Sequence, residues 1–277
     1  MTSDVLVSAT ELAAQIARGD DLVVLDVRWR LGGPPGHGDY LTGHVPGAVY
    51  VDLDTELAAH GEPTDGRHPL PDVAALQEAA RRWGVRRGSR VVAYDGAGNL
   101  AAARAWWLLR WAGVTDVRLL DGALPAWTAA GGALDTDDVV PEPGDVELVP
   151  GALPTLELAS VGDFPRAGVL LDARAPERFR GEVEPVDPKA GHVPGATGAP
   201  TGDNLDAVGR FLPADALRAR FAALGADGSR PVAVYCGSGV TAAHQVAALA
   251  VAGVDAALYP GSWSQWSNHD LPVATGD

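Results

Sequence analysis

The sequence predicts an α/β protein made of two copies of one domain, each with a parallel sheet covered by helices on both faces. Three observations predict this: landmark motifs recur in the same order in the two halves, short apolar runs alternate with helical patterns, and a stretch rich in Pro and Gly separates the halves. Strands that alternate with helices imply parallel pairing, and parallel sheets are buried on both faces.

The repeat is carried by two motifs. LDVR at 25–28 recurs as LDAR 146 residues later (171 − 25), and GHVPGA at 43–48 recurs identically 148 residues later (191 − 43). Further along, AYD at 93–95 corresponds to VYC at 234–236, and Trp127 to Trp266. The spacing between corresponding landmarks is long and changes only slowly along the chain. It therefore indicates a duplicated domain rather than a solenoid of short repeats.

The elements follow in order along the chain. In the first half we predict strands at 22–27, 90–94 and 117–120, and helices at 74–83 and 100–111, from runs and periodicity. In the second half, an apolar run at 231–234 predicts a strand and an Ala-rich stretch at 242–251 predicts a helix. The linker lies within 131–154, so we predict domains at 1–150, including the linker from about 131, and at 151–277.

Composition excludes several classes of function. The chain has 277 residues and a formal net charge of −15, which opposes binding to nucleic acid or to an anionic membrane. No apolar run approaches the roughly 20 residues that span a bilayer, and the first residues show no secretory signal. One cysteine permits no internal disulfide, which agrees with a reducing environment. We therefore expect a cytoplasmic globular protein.

The lone cysteine, Cys236, marks the predicted reactive site. It opens the loop CGSG between the predicted strand at 231–234 and the helix that follows. Loop N–H groups and the positive end of the helix dipole stabilise negative charge at such a sulfur, which makes the thiol a nucleophile. The alternative is a small buried hydrophobe, the usual environment of a free cysteine.

The duplication supplies an internal control. Where the second half has Cys236, the first half has Asp95, which cannot act as a sulfur nucleophile. We therefore predict that only the C-terminal domain is catalytic.

Together, the paired GHVPGA motifs, the loop CGSGVTA at 236–242 and the segment YPGSWSQW at 259–266 resemble the tandem rhodanese-domain sulfurtransferases. The resemblance implies two rhodanese-like domains and a Cys236 persulfide that takes sulfur from a small donor. It also implies transfer to cyanide, a small thiol or thioredoxin, with no metal or organic cofactor.

Within that family, the loop resembles that of the 3-mercaptopyruvate sulfurtransferases. Thiosulfate-preferring members typically have basic residues directly after the cysteine, whereas this chain has Gly237 and Ser238. Thiosulfate, a compact dianion, benefits from cations in the loop, so we expect 3-mercaptopyruvate as donor and thiosulfate as the alternative. The resemblance makes Ser238 a catalytic loop serine and assigns substrate contacts to the remaining loop residues, Gly237, Gly239, Val240 and Thr241.

The resemblance also implies two arginines that bind the donor carboxylate. Arg178 matches the first. The second has no counterpart, since the segment at 183–187 reads VEPVD where the family has PEPR, and Lys189 or Arg180 is a candidate to replace it.

Three positions of the first half match other family residues. Asp54 and His68 correspond to a relay that the family brings across its domain interface, for which an imidazole oriented by a carboxylate is suited. Trp29 corresponds to an aromatic wall of the site. Surface, capping and core roles are the alternatives for these residues.

Other functions are testable against the same loop. A cysteine phosphatase requires a loop arginine to hold the phosphoryl group, and 236–243 contains none. A cysteine hydrolase requires His68 to take the thiol proton directly. A sulfur carrier without turnover would retain the fold and the cysteine.

Overall fold

A computed structural model of the protein describes residues 5–277, which form two compact units. The first unit comprises the chain up to Ala58 together with Pro71–Leu153 and Leu205–Phe211, and the second comprises Ala59–Leu70, Pro154–Asn204 and Leu212–Asp277. The main division follows Leu153, close to the predicted position near 150. Two segments depart from the order of the sequence: 59–70 belongs to the second unit, and 205–211 belongs to the first.

The first unit contains a five-stranded parallel sheet. Its strands are β1 (Leu6–Val7), β2 (Leu22–Asp26), β3 (Val49–Tyr50), β4 (Arg90–Tyr94) and β5 (Val117–Leu120). Their order across the sheet is β1-β5-β4-β2-β3. The predicted strands are confirmed, with an end shorter by one residue at β2.

Six helices accompany this sheet: α1 (Ala9–Arg18), α2 (His37–Thr42), α3 (Leu53–Glu56), α4 (Val73–Arg82), α5 (Ala102–Trp111) and α6 (Ala123–Ala129). Helix α1 begins at a capping box formed by Ser8 and Glu11. Helix α5 begins two residues later than predicted, after a turn in which Asn99 has a left-handed φ of 64°.

The second unit contains a four-stranded parallel sheet with the order β7-β6-β8-β9. Its strands are β6 (Val169–Asp172), β7 (Thr197–Gly198), β8 (Val232–Tyr235) and β9 (Ala257–Leu258). Its helices are α7 (Leu158–Val161), α8 (Phe164–Ala167), α9 (Pro176–Phe179), α10 (Ala214–Ala223), α11 (Val240–Ala252) and α12 (Ser262–Trp266). Short 3₁₀ turns occupy Pro63–Asp65 and Thr201–Asn204.

Helix α11 begins earlier than the predicted residue 242. Gly239 stands at its N-cap with a φ of 82°, which glycine adopts without strain, and the helix follows at once. Val240 and Thr241, predicted as loop residues, therefore lie in the first turn of the helix.

The sequence repeat corresponds to a structural repeat. In the first unit Arg28 is paired with the buried carboxylate of Asp26 and donates to the carbonyl of Gly43. In the second unit Arg174 pairs with Asp172 at 2.6 Å and donates to the carbonyl of Gly191 at 2.7 Å. Each arginine thus fastens the GHVPGA turn to the end of a central strand.

The histidines of the two GHVPGA motifs are structural. His44 Nδ1 lies 3.0 Å from the carbonyl oxygen of Tyr40, and their rings stack with centroids 3.9 Å apart. His192 makes the equivalent contacts with Phe179, at 2.7 Å and 3.8 Å. The same arrangement in both units shows that these imidazoles hold a turn.

Each unit has its own apolar core. In the first, Val24, Val92 and Leu120 from three strands are buried with Leu12 of α1 and Trp127 of α6. In the second, Leu170, Ala233 and Tyr235 are buried with Trp263 and Trp266 of α12, among others. Across residues 5–277, no helix has both the length and the apolar character needed to cross a bilayer.

Candidate active site

Cys236 lies directly after β8, at the carboxyl edge of the second sheet, and 1% of the residue is exposed. All four residues of β8 are buried, so the strand fixes the position of the residue that follows it. Loops at this edge of a parallel sheet form the common location of binding sites.

One N–H group of the loop contacts the sulfur. The backbone of Gly239 donates to Sγ of Cys236 at 3.1 Å. This donor and the positive end of the thirteen-residue helix α11 stabilise negative charge on the sulfur. The loop therefore directs a hydrogen-bond donor at the sulfur of Cys236.

Ser262 anchors the cysteine from below the loop, a role that the sequence analysis missed. The N–H of Cys236 donates to Oγ of Ser262 at 3.1 Å, and this hydroxyl donates in turn to the carbonyl of Tyr259 at 3.0 Å. Ser262 has a φ of 54° and is fully buried. The available signal was its place in YPGSW, just before a repeated tryptophan helix.

Ser238 and His68 form a buried hydrogen-bonded pair. Nδ1 of His68 lies 2.7 Å from Oγ of Ser238, and the two residues are 8% and 5% exposed. Although His68 precedes the linker in sequence, it belongs to the segment 59–70 of the second unit. The structure therefore brings together two of the predicted catalytic residues. One of them, Ser238, is two positions after the cysteine in sequence.

Arg178 lies where it was expected, beside the loop. A β-carbon placed on Gly237 would be 3.4 Å from Nη1 of Arg178. The same guanidinium bonds to the carboxylates of Glu184 at 2.7 Å and Asp187 at 3.2 Å. The arginine is thus held by two acidic residues with one terminal nitrogen directed toward the loop.

A second guanidinium, that of Arg67, also converges on the loop. The same β-carbon on Gly237 would be 3.1 Å from Nη2 of Arg67, and Nη1 of Arg67 pairs with Asp187. Arg67 was not identified from the sequence, although it directly precedes His68. The only sequence signal was that adjacency.

The two residues considered as replacements for the missing arginine lie elsewhere. Lys189 donates to the carbonyl of His269 at 2.6 Å, and Arg180 pairs with the exposed Glu182 at 2.7 Å. Neither cation is among the nearest contacts of a β-carbon placed on Gly237, so a replacement by either stays a prediction without support from this geometry.

Charge at the site is balanced among buried groups. Arg67, Arg174 and Arg178 are paired with Asp172, Glu184 and Asp187, three cations with three anions. Burial raises the pKa of Asp187, although Arg67 and Arg178 oppose that change. The loop thus borders a network of ion pairs from which one terminal nitrogen each of Arg67 and Arg178 faces Gly237.

Asp54 and Trp29 lie in the first unit. The indole of Trp29 donates to the carboxylate of Asp54 at 2.8 Å, and Asp54 is exposed. The structure brings these two predicted residues together. A relay between Asp54 and His68 stays a prediction from the family resemblance.

Asp95 occupies the position in the first unit that Cys236 occupies in the second. Its carboxylate accepts four backbone N–H groups, those of Ala97, Asn99, Ala101 and Ala102, at 2.8 to 3.3 Å. The loop of the first unit thus surrounds the carboxyl group of its own aspartate.

Comparisons with known proteins agree with this architecture. A family model described as the rhodanese-like domain matches residues 8–130 and 159–269. A protein of Mycobacterium tuberculosis named for thiosulfate sulfurtransferase activity, SseB, is 52% identical over 98% of this chain and 97% of its own length. A protein of Pseudomonas aeruginosa named for 3-mercaptopyruvate sulfurtransferase activity is 48% identical over the full length of both chains. The crystal structure of SseA from Escherichia coli, a 3-mercaptopyruvate sulfotransferase, matches 93% of this chain and 98% of its own with a TM-score of 0.83 and 32% identity.

Proposed function

Since this chain belongs to the rhodanese-like family and is a sulfurtransferase, we propose that it takes sulfur from 3-mercaptopyruvate and carries it as a persulfide on Cys236. One observation supports this most directly. A buried cysteine at the carboxyl edge of the sheet receives an N–H bond on its sulfur and is bordered by two guanidinium groups. This arrangement suits a thiolate that attacks the sulfur of an anionic donor.

The first half-reaction is a displacement at sulfur. The Cys236 thiolate attacks the donor sulfur and forms an S–S bond, and the carbon–sulfur bond breaks with its electron pair going to carbon. The resulting enolate of pyruvate takes up one proton, and the products are pyruvate and the Cys236 persulfide. No oxidant or reductant is needed.

Ser238 and His68 move the proton in this scheme. The hydroxyl of Ser238 is close to the cysteine in the loop, and His68 at 2.7 Å exchanges protons with it. An imidazole is suited to this task because its two protonation states coexist near neutral pH. The pair thereby protonates the enolate carbon as pyruvate leaves.

The second half-reaction delivers the sulfur. A thiolate, or cyanide, attacks the outer sulfur of the persulfide and regenerates the Cys236 thiolate as the leaving group. A small thiol or thioredoxin is the acceptor expected in a reducing cytoplasm, and a cytoplasmic location stays part of the proposal.

Thiosulfate is the second candidate donor. The relative named for thiosulfate is 52% identical to this chain, and two guanidinium groups beside Gly237 are suited to a compact dianion. The loop favours 3-mercaptopyruvate, because no cation lies among its own side chains at 237–241.

The test compares kcat/KM for 3-mercaptopyruvate and for thiosulfate with one common acceptor. We expect a large preference for 3-mercaptopyruvate and, with donor alone, a gain of one sulfur atom in the mass of the intact protein. A higher kcat/KM for thiosulfate would mean that thiosulfate, and not 3-mercaptopyruvate, is the preferred donor. A persulfide that forms without multiple turnovers would identify a sulfur carrier.

A further inference from the structure

The second guanidinium at the loop has no part in the scheme above. We propose that Arg67 is a donor-binding and specificity-determining residue that, together with Arg178, holds the carboxylate of the sulfur donor beside Gly237. This inference depends on the proposed function, because it names the group that recognises the anionic end of that donor.

The two arginines converge on one point. Measured from a β-carbon placed on Gly237, Nη2 of Arg67 is at 3.1 Å and Nη1 of Arg178 is at 3.4 Å. Gly237 directly follows the nucleophile, so an anion bound there is within one small molecule's length of Sγ. The glycine allows both guanidinium groups to approach the loop closely, since any larger residue would press its β-carbon against them.

The nitrogens that face Gly237 are available for a ligand. Within residues 5–277, Nη2 of Arg67 and Nη1 of Arg178 form no hydrogen bond, and Nε of Arg67 is buried without a partner. Their other terminal nitrogens bond to opposite oxygens of Asp187. One buried carboxylate thus orients both guanidinium groups and leaves the remaining N–H groups pointing to the loop.

Arg67 is also accessible from solvent. Its side chain is 25% exposed, and a cavity of about 540 Å³ is lined by Arg67 and Asp187 together with His60 and Ser264. That volume is within the range of small-molecule sites. An anion that enters the cavity therefore meets the guanidinium group of Arg67.

The chemistry of a 2-oxo acid fits this pair. A planar carboxylate accepts parallel N–H bonds from guanidinium groups, and the bonds are short and charge-assisted. With the carboxylate beside Gly237, the carbon chain of a mercapto-2-oxo acid spans toward Sγ of Cys236. Arg67 should therefore favour donors that have a carboxylate over donors that lack one, and it should not recognise the thiol.

The first experiment measures binding without turnover. Isothermal titration of 3-mercaptopyruvate into C236S and into C236S/R67Q gives the two dissociation constants. We expect Arg67→Gln to raise Kd by about 10- to 100-fold, as for loss of a charge-assisted bond. Equal constants would overturn the inference, whether or not the wild-type protein turns over this donor.

The second experiment separates charge recognition from general damage. Mercaptoacetone has the thiol and the ketone of 3-mercaptopyruvate but no carboxylate. R67Q should lower kcat/KM for 3-mercaptopyruvate by the same factor and leave that for mercaptoacetone within about twofold. Equal losses for both donors would mean that Arg67 has only a structural role and would overturn the proposal.

Two further variants complete the test. R180Q removes an exposed arginine that pairs with Glu182 and should leave both donors unaffected. R67K retains the charge without the planar fork, so its loss should fall between those of R180Q and R67Q. If R67Q does not fold, R67K decides alone, and an R67K enzyme equal to wild type with 3-mercaptopyruvate would contradict the role.

Discussion

The loops after β4 and after β8 share one frame but contain different side chains, a carboxyl group in the first unit and a thiol in the second. In the first unit the carboxylate of Asp95 accepts four loop N–H groups. In the second, the sulfur of Cys236 accepts one from Gly239. The carboxyl group of Asp95 therefore accepts more N–H groups from its loop than the sulfur of Cys236 does.

The surroundings of the two loops differ as much as the loops themselves. A β-carbon on Gly96, the residue after Asp95, would meet no atom within 4 Å. At Gly237 the same construction meets both Arg67 and Arg178. A strand, a loop and a helix thus provide the position of a nucleophile, but the cations that would attract an anionic donor belong to other segments.

A third difference lies beneath the loops. Ala123 and Ser262 share a left-handed backbone, with φ of 55° and 54°, at equivalent places before the repeated tryptophans. Only Ser262 has a hydroxyl, and it accepts the N–H of Cys236. The second unit thus has an additional hydrogen bond that holds the backbone of Cys236.

The largest expected effect is that of Cys236→Ser. We expect turnover to fall by at least about 1000-fold, because the hydroxyl is a far weaker nucleophile at neutral pH and forms no persulfide. The fold should remain, since Ser is close in size to Cys. Kinetics measures the loss of turnover, and circular dichroism measures whether the fold is retained. Activity near that of wild type would refute the mechanism.

Asp95→Asn probes the filled loop of the first unit. The amide nitrogen replaces an oxygen that accepts two N–H groups, so buried donors lose their acceptor and the protein should lose about 2 to 4 kcal/mol of stability. Urea unfolding followed by tryptophan fluorescence measures this loss. Sulfur transfer under native conditions should be unchanged, and a fall in kcat would mean that the two loops are coupled.

The same variant has a predicted pH dependence. Burial raises the pKa of Asp95, with its four N–H bonds acting in the opposite direction, so the folded chain retains a proton that the unfolded chain releases. Stability from this group is fully present below the unfolded pKa of about 3.9 and declines as pH rises toward the folded value. The deficit of D95N should therefore be larger near pH 4 than at about pH 7.5. A deficit that grows with pH would show that the N–H bonds outweigh burial.

Ser238→Ala tests whether the Ser238–His68 pair moves a proton. We expect kcat to fall by about 10- to 100-fold with little change in KM, because the hydroxyl acts in the chemical step. Steady-state kinetics with 3-mercaptopyruvate measures both constants. A change confined to KM would make Ser238 a binding residue instead.

The smallest expected effect comes from moving the nucleophile. In the double variant D95C/C236S, the first-unit loop regains a thiol, yet we expect no recovery of sulfur transfer because no guanidinium group lies within 4 Å of Gly96. The activity of C236S alone is the baseline. Recovery of a substantial fraction of turnover would mean that the loop frame is sufficient by itself.

Much of this protein was determined by local sequence. The strands β4 and β5 end where the apolar runs end. Cys236 lies at the carboxyl edge of its sheet because the buried run of four residues before it forms a strand that runs parallel to its neighbours. The structural role of His44 and His192 agrees with their recurrence in both halves, because a residue needed for catalysis alone need not recur.

Only the tertiary structure decided which distant residues meet at the loop. His68 contacts Ser238 across 170 positions of sequence, and Arg67 reaches Gly237 because the segment 59–70 belongs to the second unit. Helical and strand periodicity depends only on neighbours within a few residues. It therefore predicts the element and the face on which a side chain lies, but not the distant residues that this side chain contacts. The proposed nucleophile, Cys236, could therefore be predicted from the sequence, whereas the group proposed to select its donor became visible only in the folded chain.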